Sequence, residues 1–317
     1  MAKLEKAIHK LFADCLKIVP GDSCLILVDH ATCTLGQRIF KTFPRIKAEV
    51  ALLEIQPLHA NRTEPPAAIL NLLKQMSAIV AFTSTSLLHT NALKHLCHNG
   101  ARVLCLEPMS EDALMRAINT DYQFIEIKSR RLADLFSIGH KIQVLTAAGT
   151  DLTIPIARHR GMANTGVVHE PGSFSLLPAG EAAITPDLHG AEGVIVVDGS
   201  IPAVGLLQNS IELKVKEGYA YQITGGHEVE KLRKILKPFG KLGRNIAEFG
   251  IGTNPHAMLT GQSIEDEKVL GTAHFALGHH AYEGGRLKGK LHLDLILKTP
   301  TITIDGRIIM EAGRLLI

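Results

Sequence analysis

The chain has no tryptophan, four tyrosines and ten phenylalanines among 317 residues, so its interior has to be built from Leu, Ile, Val and Ala. It also lacks a charge surplus: 34 Lys and Arg against 31 Asp and Glu leave a formal charge of +3. That excludes the clustered basic excess of a nucleic-acid footprint. No stretch reaches the ~18 consecutive apolar residues of a membrane-spanning helix, so no membrane partner is expected. Cys15, Cys24, Cys33, Cys97 and Cys105 form an odd set without a Cys-x-x-Cys pair. They read as reduced thiols rather than a disulfide frame or zinc ribbon, which points to a cytoplasmic protein. Residues 1–19 read as an amphipathic helix with scattered charges rather than a signal peptide. GxGxxG and GxSxG are both missing, so neither a dinucleotide site nor a serine-nucleophile elbow is expected.

What is present is the composition of a folded chain, 46% hydrophobic and 21% charged, long enough for two domains. Histidine stands out with sixteen residues, which points to metal or proton chemistry. Through about residue 120, short β-branched runs (23–28, 48–55, 78–82, 102–106) alternate with helical patterns of about ten residues. This is the mark of βαβ units and a parallel sheet. Beyond about residue 124 a helical stretch at 129–136 gives way to turn-punctuated β runs, with one helix at 228–237. Asp198-Gly199 and Asp305-Gly306 are hairpin signals there. The predicted fold is an α/β, Rossmann-like domain over residues 1–123 and a β-rich, α+β domain over residues 124–317.

Four segments of the second half place polar groups inside apolar β runs. Glu181 lies in Ala179-Gly180-Glu181-Ala182-Ala183-Ile184. Glu248 lies in Ala247-Glu248-Phe249-Gly250-Ile251-Gly252. His274 lies in Thr272-Ala273-His274-Phe275-Ala276. His292 and Asp294 lie in Leu291-His292-Leu293-Asp294-Leu295. Positions i and i+2 of a strand share a face, so His292 and Asp294 point together. Such groups cost several kcal/mol in a core unless they are paired or hold a cation. One divalent ion, or two sharing a carboxylate, would satisfy them all; five nitrogen and oxygen donors without Cys suit zinc, cobalt, manganese or iron(II). Taken singly, each is more often an ordinary paired core group or an edge residue than a ligand. Glu265-Asp266-Glu267 reads as a solvated acidic turn, and so do His279 and His280.

In order and flanking residues the four segments resemble the thermophilic metallopeptidase aminopeptidases, the family that includes aminopeptidase T. The matching pieces are Gly180-Glu181-Ala182, Ala247-Glu248-Phe249, Ala273-His274-Phe275-Ala276-Leu277-Gly278 and His292-Leu293-Asp294, and the resemblance covers roughly residues 124–317. It implies a two-metal centre held by Glu181, Glu248, His274, His292 and Asp294, with Tyr282 as a further ligand. It also implies a homodimer that releases N-terminal residues from peptides, with Glu181 or Glu248 shuttling the proton. His256, Arg158 and Asn164 are candidates for binding the substrate. The 2,5-dihydroxypyridine dioxygenases resemble the same superfamily and hold one iron(II) with two His and a carboxylate, which His274, His292 and Asp294 could supply. The presence of both Glu181 and Glu248 favours the peptidase expectation over this alternative. A small-molecule-binding protein without turnover is the non-enzymatic reading.

Overall fold

The computed structural model describes residues 2–43, 46–60, 63–88, 90–279 and 291–317. The chain divides into two compact units, Met1–Glu126 with Asn164–Ala179, and Ile127–Ala163 with Gly180–Ile317.

The first unit is a five-stranded parallel sheet in the order Glu49–Ile55, Ser23–Asp29, Ala78–Phe82, Arg102–Leu106, Phe174–Leu177. Its three central strands are nearly continuous apolar runs because both faces are covered, as buried parallel strands require. Alternate residues serve opposite cores. Cys24, Ile26, Val28, Val80 and Leu104 pack with Leu4, Ile8 and Leu11 of the N-terminal helical stretch. Leu25, Leu27, Ile79 and Val103 pack with Leu73, Leu93 and Leu96 on the other side. Helix Asn91–His98 starts where Thr90 Oγ1 accepts the Leu93 N–H at 3.1 Å, a standard N-cap. The fifth strand comes from far along the chain. The sequence reading places residues 164–179 with the β-rich part, since no helical crossover adjoins them. In the structure Phe174–Leu177 pairs in parallel with Arg102–Leu106, and the excursion belongs to the first unit.

The second unit carries an eight-stranded antiparallel sheet and a five-stranded one. Thr301–Ile304 and Arg307–Glu311 form the hairpin signalled by Asp305-Gly306, whose φ angles of 49° and 83° suit a type I′ turn. Asp198-Gly199 does not close a hairpin. Glu192–Val197 pairs instead with Ile211–Lys216, and the Asp198 carboxylate accepts the Lys298 N–H at 2.8 Å.

The five-stranded sheet runs His292–Lys298, Thr272–Gly278, Ile246–Gly252, Glu181–Ile184 and Met162–Asn164. Phe249 and Phe275 point into the hydrophobic core with ring centroids 5.3 Å apart, and Phe136 lies 5.8 Å from Phe249. The residues between them therefore face the opposite side, and there the polar groups lie. Among the described residues no helix is long and apolar enough to cross a membrane.

Candidate metal centre

Antiparallel register decides which polar side chains meet. Gly250 pairs with His274, Ala276 with Asp294, Gly278 with His292, and Gly252 with Glu181. The register slips between Ile246 and Glu248. This bulge sits beside Glu248, the kind of irregularity that re-aims a side chain. The result is a row of donors across three strands. His274 Nε2 lies 3.6 Å from Glu248 Oε1, Glu248 Oε2 lies 3.4 Å from His292 Nε2, and His292 Nε2 lies 3.3 Å from Asp294 Oδ1.

Small residues make room for this row. A Cβ on Gly250 would stand 2.2 Å from His274 Nε2. The imidazole thus lies directly over the Gly250 backbone, and any larger residue would push it away. His274 is fully buried, and neither of its ring nitrogens has a hydrogen-bond partner among the described residues. An imidazole in that condition is costly unless something else takes up its lone pair. A first-row ion with ligand bonds of about 2.1 Å at right angles separates neighbouring donors by about 3 Å. The spacings of 3.3–3.6 Å between successive members are close to this, and imidazole and carboxylate donors suit such an ion.

Electrostatics lead the same way. Burial disfavours the charged form of both imidazoles. For His274 the Glu248 contact and the Glu181, Glu267 and Asp294 carboxylates outweigh burial and raise its pKa to about 9. For His292, Asp294 and Glu248 raise it to about 10. Carboxylates gathered so densely attract a cation, whether proton or metal. His292 alone of the row keeps an edge toward solvent, its side chain 24% exposed. His279, read from the sequence as a solvated turn residue, is buried. Its Nδ1 meets the Leu291 carbonyl, and its ring lies 5.5 Å from that of His292.

Glu181 joins the cleft from its own strand, bound to a partner the sequence did not suggest. Lys268, 2% exposed, donates from Nζ to Glu181 Oε2 and, at 2.6 Å, to Glu267 Oε1. Burial would raise the Glu181 pKa, but Lys268 and His274 hold it below its usual range. Burial pushes Glu267 the other way, to about 8, with Lys268 opposing and Glu181 and Asp294 adding to the rise. The acidic turn is therefore not solvated. Asp266 accepts from Ser200 Oγ and from the Thr260 and Gly261 N–H groups, and Glu265 accepts the Met258 N–H at 3.1 Å.

The remaining candidates lie apart from this description. Tyr282 and His280 fall outside the described residues. His256 is exposed, and its N–H donates to Asn254 Oδ1 at 2.9 Å. Arg158 is exposed, with its backbone N–H on Asp187. Asn164 belongs to the first unit, where its side chain bonds Pro178, Ser175 and Leu176.

Three comparisons bear on this site. The sequence model of the 2,5-dihydroxypyridine 5,6-dioxygenase family matches residues 22–317. A 2,5-dihydroxypyridine 5,6-dioxygenase of Pseudomonas putida is 28% identical over 243 residues, 72% of this chain and 68% of that protein. Among solved structures, the 2,5-dihydroxypyridine dioxygenase from P. putida KT2440 has a TM-score of 0.87 at 22% identity, covering 99% of this chain and 97% of that one. AmpT from Thermus thermophilus has a TM-score of 0.71 at 17% identity, covering 100% and 99%. Both structures share the fold with this chain.

Proposed function

Because the chain belongs to the 2,5-dihydroxypyridine 5,6-dioxygenase family, we propose that it is a metal-dependent dioxygenase that opens a hydroxylated pyridine ring. The expectation of a metallo-aminopeptidase is corrected by that match. Hydrolase and protease chemistry go with it, along with the peptide substrate. Shared motif order pointed to the right superfamily and the wrong reaction within it.

The observation that carries the proposal is the contact row His274–Glu248–His292–Asp294, with a buried imidazole that has no hydrogen-bond partner among the described residues. His274, His292 and Asp294 would hold one iron(II) ion, the set of two imidazoles and a carboxylate that leaves open positions for further ligands. The ion, when bound, supplies the redox chemistry that joins dioxygen to an electron-rich ring. Glu248 meets the Nε2 atoms of both imidazoles at 3.6 and 3.4 Å, which places its carboxylate among the donors as a further ligand candidate. His279 presents its backbone carbonyl 3.3 Å from His292 Nδ1, which favours the tautomer with the proton on Nδ1 and Nε2 free to coordinate. Ala276 and Ile296, paired in register with Asp294 and His274 and fully buried, limit water around the donors.

The test is oxygen uptake by protein loaded anaerobically with iron(II), then mixed with 2,5-dihydroxypyridine and air. Uptake with loss of the aromatic absorbance is expected, and His292→Ala should show neither. An iron-loaded wild-type chain that consumes no oxygen with any dihydroxylated pyridine would sink the proposal.

A further inference from the structure

The cleft contains two places where donors gather, and a different kind of cation serves each. In the first, Glu248 and Asp294 face the imidazoles of His274 and His292. An imidazole nitrogen offers a lone pair and can enter a coordination shell, so this cluster can take an ion without losing a member. In the second, Glu181, Glu267 and His274 offer donor atoms that all lie within 4.8 Å of one another, a spacing that could hold an ion of its own. Yet the Lys268 ammonium already bridges the two carboxylates there. Lysine is almost never fully buried unless paired, and this one is paired twice. An ammonium has three N–H donors and no lone pair to offer, so it can satisfy carboxylates but cannot join a coordination shell.

We infer that Lys268 is a built-in cation occupying the second position of the cleft, so that the chain takes one metal ion and the two-ion centre expected from the aminopeptidase resemblance cannot form. A divalent ion seated between Glu181 and Glu267 would lie against a buried positive charge at ion-pair distance. Like charges so placed in a low-dielectric interior exclude one another. The lysine is thus a positioning residue: it holds Glu181 and Glu267 away from the ion and leaves His274 to the first cluster. The inference rests on the reading of the cleft as a metal centre, and not on which reaction follows.

Manganese(II) is the probe, because it binds oxygen and nitrogen donors and is counted without turnover. Full-length protein, freed of metal, is loaded with it and passed over a desalting column. Bound ions per chain are then measured by elemental analysis, and their magnetic coupling by electron paramagnetic resonance. Wild-type protein and Lys268→Arg should each hold one uncoupled ion. Lys268→Met should hold two, with a coupled-pair spectrum. Glu267→Gln removes a donor of the second position only, and should still hold one. Two ions in wild-type protein, one ion in a folded Lys268→Met chain, or none in Glu267→Gln would each overturn the inference. The Glu267→Gln arm keeps it testable if Lys268→Met does not fold. No ion at all in wild-type protein would reject the metal centre itself, a result distinct from each of these.

Discussion

Both units bury carboxylates at strands, and they treat them in opposite ways. In the first unit Asp29 ends its strand fully buried, where its oxygens accept from the Ser84 N–H at 2.7 Å, from the Ser84 hydroxyl, and from the Ala31 and Thr32 N–H groups. Asp22 is closed off likewise by Arg102 at 2.6 Å, the Val19 N–H at 2.9 Å and Ser77 at 2.9 Å. These donors, from the same loop and from neighbouring strands, complete each carboxylate with hydrogen bonds, which is what a structural acid needs. In the second unit Glu248 meets imidazoles on two other strands and Asp294 that of its own strand, at 3.3–3.6 Å, longer than good hydrogen bonds and close to the spacing of ligands around an ion. Burial alone therefore does not mark a functional acid. What separates the two cases is whether the partners are mainly N–H donors with no lone pair for an ion or other potential ligands.

Removing His292 is the sharpest way to break this contrast, and has the largest expected effect. Substitution of groups that merely support metal ligands costs about 10–100-fold in affinity or activity. His292→Ala removes a proposed ligand, so oxygen uptake should fall by more than about a hundredfold, with an unchanged circular dichroism spectrum. Asp22→Ala should do the reverse. It leaves the Arg102 guanidinium buried without its carboxylate, a loss on the order of 3–5 kcal/mol for a buried pair. Denaturant unfolding should register that loss, while the number of ions bound per folded chain stays the same. Gly250→Ala tests the cleft without altering any donor. Its Cβ would stand 2.2 Å from His274 Nε2, so the ring must shift. Metal affinity should weaken by about tenfold or more, measured by competition with a chromophoric chelator.

Much of this contrast was legible in the sequence. The alternation of apolar runs and helical patterns predicted the parallel sheet, and period-two reasoning placed His292 and Asp294 on one face, as their 3.3 Å contact bears out. Glu181, Glu248 and His274 were visible as polar breaks in apolar strands. Their meeting point depended on antiparallel register and on the bulge beside Glu248, which no local pattern encodes. Lys268 was hidden for a different reason. It follows Glu265-Asp266-Glu267, and such a run reads as a solvated turn because lysine and acids are seldom buried. The one available hint was a lysine beside three acids, between two strands that had to be interior. His279 was misread likewise, since nothing local signals that the Leu291 carbonyl awaits its ring. The reaction was not legible because the order of Glu, His and His-x-Asp segments that carried the aminopeptidase resemblance does not separate it from the family whose model matches the chain.

The smallest expected effect is the acid limb of stability, and it sharpens the contrast from the structural side. Burial opposes ionisation of Asp22, but the Val19 N–H, Arg102 and Ser77 outweigh it and hold the carboxyl below its usual range. A carboxyl whose folded pKa lies below its unfolded value adds stability above the unfolded value of about 3.9. That contribution is lost as pH falls through the folded value. The stability difference between wild-type protein and Asp22→Asn should therefore be flat from neutral pH down to about 5 and shrink below about 4. Unfolding measured in urea at several pH values checks it. A difference that persists unchanged to pH 2 would mean that Asp22 contributes through packing and neutral hydrogen bonds alone. Arg102, whose guanidinium also donates to the Leu16 and Lys17 carbonyls, would then be satisfied without it.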